Sequence, residues 1–138
     1  MLFSILLAST TLGWITPKPP PVISVAEYGC VGSINRLQQV GGGTFLVPRG
    51  VWKCPPLNLT SNTVVYLEAG ATLKADTDSN WPLYAPLSIY GQGHDHPGPR
   101  LAPFIGGFFV QNLTIGGENG TIDGSGFYWY VQCALSPC

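Results

Sequence analysis

The chain has 138 residues, of which 9% are charged, and its formal net charge at pH 7 is −1. Nucleic-acid binding needs clustered Lys and Arg, whereas the six basic residues here are scattered. Eighteen Gly and thirteen Pro would be compatible with disorder, but a 45% hydrophobic content favours a packed core. The composition therefore predicts one turn-rich β domain and excludes a nucleic-acid partner.

The N-terminal region resembles a secretory leader. Residues 1–16 form a short apolar run that gives way to small residues, although no basic residue precedes the run. The run is too short to span a bilayer as a stable helix, and an N-terminal strand is the alternative interpretation. Residues 17–21 are Pro-rich and would stop any leader helix. We therefore predict a signal peptide at 1–16, a linker at 17–21, no membrane span and an extracellular (cell-wall) location.

The sequons and cysteines are compatible with a secreted protein. The three Asn-X-Thr sequons are also placed at turns, where Asn is common without a glycan. The candidate glycosylation sites are Asn58, Asn112 and Asn119. Four cysteines would tend to pair in a secreted chain, with three connectivities open, and their spacing is not that of a zinc site. The candidate disulfide residues are Cys30, Cys54, Cys133 and Cys138.

A helix is expected only at residues 33–40. Ser33 is a candidate N-cap, and Gly41 follows the last helical residue. Three apolar residues share one face at a period of 3.6, namely Ile34, Leu37 and Val40. A helix of two turns is marginal alone, so we expect it to cover one end of a larger apolar structure.

Short β-prone runs closed by glycine recur along the rest of the chain. Asn62 precedes Gly70 by 8 residues, and Asn112 precedes Gly120 by the same number. Gly43 lies 27 residues before Gly70, which lies 50 before Gly120, so a period of about 25 residues fits all three. Strands and corners repeated without helices predict a β-solenoid over residues 22–130, followed by a tail at 131–138.

Residues 76–100 break this rhythm and are expected to form a long loop within one rung. The loop contains His94, Asp95 and His96, which could begin a metal site. Zinc needs a third and usually a fourth ligand, and the chain has no other His, so a polar loop is preferred. No metal site and no cofactor is predicted.

Taken together, these segments resemble the N-terminal part of glycoside hydrolase family 28, the polygalacturonase-like pectin hydrolases. The matching segments are 25–29, 41–50, 57–62, 66–73 and 117–126, leading into Tyr128 and Trp129. The resemblance implies an all-β fold, a right-handed parallel β-helix that is incomplete here and has a short N-terminal capping helix. It also implies inverting hydrolysis of α-1,4-galacturonan in pectin by the full-length relative.

The departures from the family concern catalysis. Family members carry Asn-Thr-Asp, Asp-Asp, Gly-His-Gly and Arg-Ile-Lys motifs beyond the segment that matches Trp129, and none of the four occurs in this sequence. About a dozen family residues are also missing before Ser33, and residues 131–138 match no family segment. We therefore assign no catalytic residue and expect an N-terminal fragment that does not cleave pectin by itself.

The carboxylates agree with this expectation. Inversion needs an acid and a base about 6.5–9.5 Å apart. Asp76 and Asp78 form the only close pair in the sequence, but they lie in a turn-like stretch, and Asp123 begins an Asp-Gly turn. Glu27, Glu68 and Glu118 are expected to stand alone in solvent. The aromatic run 127–130 could stack on sugars, but packing with alternate residues inward is preferred.

Two other functions compete with the hydrolase. A non-catalytic solenoid could bind glycans or proteins on a flat β face. A calcium-dependent polysaccharide lyase shares the architecture, but it would need clustered carboxylates and a basic Arg or Lys, and neither cluster is visible. An incomplete solenoid would also leave its last rung open, which predicts self-association.

Overall fold

The computed structural model describes residues 18–78, 80–85 and 99–135. The predicted signal peptide and the cluster at His94–His96 lie outside these residues, as does Cys138. The elements in chain order are β1 (Val22–Ser24), α1 (Val25–Val40), β2 (Gly43–Val47), β3 (Gly50–Cys54), β4 (Leu57–Asn58), β5 (Thr63–Leu67), β6 (Ala71–Ala75), β7 (Leu83–Tyr84), β8 (Arg100–Leu101), β9 (Ile105–Gly106), β10 (Leu113–Gly117), β11 (Thr121–Asp123) and α2 (Gly126–Leu135).

Three parallel sheets form the body of the protein. One has the strand order β1-β2-β5-β10, the second β11-β6-β3, and the third pairs β4 with β9. Because hydrogen-bonded neighbours are distant in sequence, the chain passes through all three sheets before it returns to the first. This is a partial right-handed parallel β-helix, and the fold prediction is confirmed.

Inward side chains stack directly from rung to rung. Phe45 pairs with Val65, and Val65 pairs with Ile115 on the next strand. On the second sheet, Trp52 pairs with Leu73 and Leu73 with Ile122. Strand alternation sends every second residue inward, so Phe45, Val65 and Leu73 are completely buried. The core is therefore a set of apolar columns that run along the helix axis.

One corner of each rung is turned by a residue with positive φ. Asn62 and Asn112 have φ of 57° and 54°, and the Asn112 Nδ2 donates to the Asn62 Oδ1 at 3.0 Å. Gly42 precedes β2 at the equivalent position, where an added Cβ would meet the Asn62 carbonyl oxygen at 2.5 Å. Asn and Gly are the residues that tolerate this backbone region, which explains their recurrence in the sequence.

The predicted equivalence of Gly70 and Gly120 is off by one residue. Strand β10 pairs with β5 at an offset of 50, but Thr121 pairs with Thr72 at an offset of 49. Gly70 therefore aligns with Asn119, and both have positive φ, of 75° and 56°. The turn between β10 and β11 is one residue shorter than its counterpart, which a fixed sequence period does not reveal.

Helix α1 is longer than the predicted segment 33–40. It begins at Val25, because the Ser24 Oγ accepts the Ala26 N–H at 3.2 Å as the N-cap. Ser33 was therefore the wrong cap: it is buried within the helix, and its Oγ donates to the Ser24 carbonyl at 3.1 Å. Gly29 (φ 66°, ψ 175°) interrupts the helix.

The C-terminal end of α1 follows the prediction more closely. Gly41 ends the helix with φ of 80°, and Ile34 and Leu37 are buried as expected. The prediction that Val40 shares the buried face was wrong, since Val40 is 50% exposed. The helix contacts β1, β2, β3 and β4 and so covers the N-terminal end of the stack. A disulfide between Cys30 and Cys54 joins it to β3.

Two further predictions about local structure were wrong. Residues 76–100 are not all loop, because β7 and β8 pair in an antiparallel ladder there. The aromatic run 127–130 is not a strand, because it belongs to helix α2. Ser125, with φ of 52°, precedes α2 and its carbonyl accepts the Tyr128 N–H at 3.0 Å. A helix satisfies its backbone hydrogen bonds internally and so needs no neighbouring rung.

Candidate functional site

The paired carboxylates Asp76 and Asp78 belong to a turn. The Asp78 N–H donates to the Asp76 Oδ1 at 3.1 Å, which is the local hydrogen bond that Asp makes in turns. The Asp76 carbonyl also accepts the Trp81 Nε1–H at 2.8 Å. The predicted turn at Asp76 and Asp78 is confirmed.

Asp123 carries an ion pair between rungs. Its Oδ2 lies 2.5 Å from the Lys74 Nζ, and both side chains are partly exposed. Its Oδ1 accepts the Ser125 N–H at 2.8 Å. The hydrogen bond from Lys74, and then that from Ser125, holds the pKa of Asp123 below its usual range. A general acid needs a raised pKa, so Asp123 is unsuited to that role.

Two glutamates that were expected to stand alone have partners. The Tyr66 hydroxyl donates to the Glu118 Oε1 at 2.9 Å, and this bond raises the pKa of Tyr66. The Glu68 Oε2 accepts the Arg49 N–H at 3.2 Å. Both glutamates remain accessible to solvent, but they join successive rungs. Spacing in the sequence did not reveal the contacts of Glu68 and Glu118. Correct alignment of the rungs would have placed Lys74 beside Asp123.

A lateral cleft of about 380 Å³ lies outside the third sheet, where β4, β7 and β9 approach one another. Tyr84 and Phe108 line it with ring centroids 5.6 Å apart and rings inclined by 72°. The other residues that shape it include Pro56, Asn58, Pro82 and Pro103. Rigid prolines and aromatic rings form a preformed apolar wall with one amide side chain, which suits a sugar better than an ion. Sequence reasoning missed this cleft.

The aromatic run of α2 packs only in part. The Trp129 ring contacts the Trp81 ring edge-to-face, with centroids 4.9 Å apart, and Trp81 in turn lies 6.3 Å from Phe104. Phe127 and Tyr130 are largely exposed. The predicted packing is therefore confirmed for Trp129 and wrong for Phe127 and Tyr130.

The C-terminal end of the stack presents apolar side chains at inward positions. Leu113, Ile115 and Ile122 pair with Thr63, Val65 and Leu73, which are buried. The three outer residues are nevertheless 36%, 46% and 43% exposed, because no described strand follows them. We call this set the open end.

Comparison with known proteins agrees with this architecture. No family model matches the chain. A protein from Vitis vinifera named "Probable polygalacturonase" is 37% identical over 108 residues, which make up 78% of this chain and 22% of the relative. The chain is polygalacturonase-like. It spans about a fifth of the length of that relative.

The crystal structure of an exopolygalacturonase from Thermotoga maritima has the same fold over the matched region. Its TM-score is 0.58 at 21% sequence identity, and the match covers 78% of this polygalacturonase-like chain and 27% of the other. This likeness supports the parallel β-helix fold described above.

The three sequons of this polygalacturonase-like chain have different surroundings. Asn58 is exposed on β4 and lines the lateral cleft. The Asn112 Nδ2 donates to the Asn62 Oδ1 of the preceding rung, and Asn119 turns an exposed corner. The structure pairs Cys30 with Cys54 and does not describe the side chain of Cys133.

Within the described ranges, no group of three or more His, Cys, Asp or Glu side chains could hold a metal ion. Among the same residues, no helix is long and apolar enough to cross a membrane.

Proposed function

We propose that this chain forms N-terminal rungs of a secreted pectin hydrolase of the polygalacturonase type, and that it does not cleave pectin by itself. The likeness to the Vitis vinifera protein supports the family, and the 22% coverage of that protein supports a partial structure. The substrate class, α-1,4-galacturonan hydrolysed with inversion, comes from the family resemblance.

The main structural support for this proposal is the open end. Leu113, Ile115 and Ile122 continue the apolar columns of the core but are not covered within the described residues. An inward position in a solenoid is apolar because another rung packs against it. The carboxylates with assigned contacts instead make turns and links between rungs. We therefore expect the acid and base on rungs that would follow.

The test is the release of reducing ends from polygalacturonate by the purified chain, with a complete polygalacturonase as the positive control. We expect no release above the enzyme-free blank. Release above the blank that persists after repurification of the chain would show that the chain is itself a hydrolase, and would contradict the proposal.

Extracellular location is part of the same proposal. The leader-like residues 1–16 and the disulfide between Cys30 and Cys54 support it, because disulfides persist in oxidising compartments. N-terminal sequencing of the chain recovered from the medium of a eukaryotic host checks this step. We expect the mature protein to begin near the Pro-rich linker.

A further inference from the structure

We propose that the lateral cleft holds an N-linked glycan attached to Asn58, with the first N-acetylglucosamine packed against Tyr84 and Phe108. This assigns a modification site and its binding surface on the same face of the protein. It goes beyond hydrolase function and rests only on the secretory route proposed above.

The position of Asn58 suits it as the glycan acceptor. Asn58 is exposed on β4, lines the cleft, and is followed by Leu59 and Thr60, which complete a sequon. Leu59 is buried and its N–H donates to the Gly106 carbonyl at 2.8 Å, while the Leu57 N–H donates to Phe104 at 2.8 Å. The backbone on both sides of Asn58 is therefore fixed, and the side chain is directed outward beside the cleft.

The size and chemistry of the cleft suit a sugar. Its volume of 380 Å³ falls within the ~300–1,000 Å³ typical of small-ligand sites. A pyranose ring has apolar C–H faces, which pack on aromatic rings such as Tyr84 and Phe108. Phe108 is 64% exposed, so a sugar there would cover apolar surface that is otherwise in water.

The other two sequons lack the surroundings of Asn58. The Asn112 Nδ2, the atom that would carry a glycan, already donates to the Asn62 Oδ1 of the preceding rung at 3.0 Å. Asn119 is at a corner between β10 and β11, and it does not line the cleft. Only Asn58, among the three, combines an outward amide with an adjoining aromatic surface.

The experiment starts with site occupancy. The full chain is produced in a glycosylating host twice, with its own leader and behind a host secretion signal, and glycopeptides are analysed by mass spectrometry after denaturation. We expect Asn58 to be modified. If only the chain behind the host signal is modified at Asn58, the proposed secretory route fails and the site stands. If Asn58 is unmodified behind the host signal, the inference is overturned.

The second measurement tests packing of the glycan in the cleft. Thr60→Ala removes the sequon and Thr60→Ser retains it, so the two variants form a matched pair. We expect Thr60→Ala to lower Tm by about 2–5 °C relative to Thr60→Ser in the glycosylated protein. Trimming the glycan to one N-acetylglucosamine should preserve the stability. The same pair made in bacteria, with no glycan, reports the effect of the substitution itself.

The decisive comparison repeats the pair in a Phe108→Ala background. If the glycan packs in the cleft, the extra fall in Tm caused by Thr60→Ala relative to Thr60→Ser should disappear in the Phe108→Ala background. An equal loss with and without Phe108 would show that the glycan does not use the cleft. Binding of galacturonan oligomers to the bacterial protein that depends on Phe108, with Asn58 unmodified in the glycosylating host, would identify a substrate groove and contradict the inference.

Discussion

Ile115 lies directly on Val65 in the parallel register of β10 and β5, yet Val65 is 1% exposed and Ile115 is 46% exposed. Both are β-branched apolar residues at inward positions. Their difference in burial comes from the rungs on either side: Val65 is flanked by Phe45 and Ile115, whereas no described strand follows Ile115. Burial in this protein therefore depends on position in the stack as much as on residue type.

The open end should make the isolated chain self-associate. An unpaired strand edge with apolar side chains favours pairing with another chain. We expect the Ile115→Lys/Ile122→Lys variant to shift the species seen by size-exclusion chromatography towards a monomer of 14.7 kDa. Val51→Lys/Val64→Lys, at outward apolar positions, is the matched control and should leave the distribution unchanged. A concentration-independent monomer of the wild-type chain would contradict the prediction.

Replacement of Gly117 and of Gly116 by alanine should change the free energy of unfolding by very different amounts. Gly117 has φ of 151°, and an added Cβ would overlap the backbone of Leu67. Gly116 has no heavy atom within 4 Å of an added Cβ. We expect Gly117→Ala to lower the free energy of unfolding by about 2 kcal/mol or more, and Gly116→Ala to change it by less than about 0.5 kcal/mol. Equal effects in urea denaturation would show that the close approach of β10 to β5 is not tight.

The disulfide between Cys30 and Cys54 should stabilise the cap. It closes a sequence separation of 24 residues and joins α1 to β3. Reduction is expected to lower the free energy of unfolding by about 2–4 kcal/mol, chiefly because the unfolded chain gains freedom. Urea denaturation with and without dithiothreitol measures the loss. The free energy of unfolding of the Cys30→Ala/Cys54→Ala variant should no longer fall when dithiothreitol is added. A fall equal to that of the wild type would show that the reductant acts on another part of the protein.

The ion pair of Asp123 with Lys74 should give a defined dependence on pH. The pKa of Asp123 is lowered from its usual 3.8 in the folded protein, mainly by the hydrogen bond from Lys74. The pair therefore contributes its full stability above pH 3.8 and loses it as the pH falls through the lower folded pKa. We expect Asp123→Asn to be destabilising at pH 7 and to match the wild type at the lowest pH.

The control for that prediction is Lys74→Met, which removes the partner. In the Lys74→Met background, the pH dependence of Asp123→Asn should be smaller, because only the Ser125 N–H still favours the charged carboxylate. A difference between wild type and Asp123→Asn that stays constant from pH 7 down to pH 2 would refute the assigned lowering of the pKa.

The repeat, and with it the fold, could be predicted from local chemistry. Asn62, Asn112 and Gly70 occupy positive-φ corners, and such corners restrict the choice of residue strongly enough to be visible in the sequence. The β-prone runs between them alternate inward and outward, so Phe45 and Val65 were placeable in the core. The end of α1 at Gly41 follows the same local rule.

The site depended on contacts between residues distant in sequence. Tyr84 and Phe108 meet beside Asn58 only after β4, β7 and β9 are brought together. Lys74 meets Asp123 through a register whose offset shifts between sheets by one residue, which periodicity does not reveal. The start of α1 at Val25 was hidden because Gly29 interrupts the helical pattern.

By itself, the sequence determined a stack of short strands, because glycine and asparagine recur at corners such as Asn62, Gly70 and Asn112, where the backbone takes a positive φ. It also determined the absence of the four catalytic motifs from these 138 residues. Tertiary structure decided which apolar residues are buried, which charges pair and where the lateral cleft forms. Those properties arise from side chains that approach one another across rungs, and their separation in space is set by register and turn length.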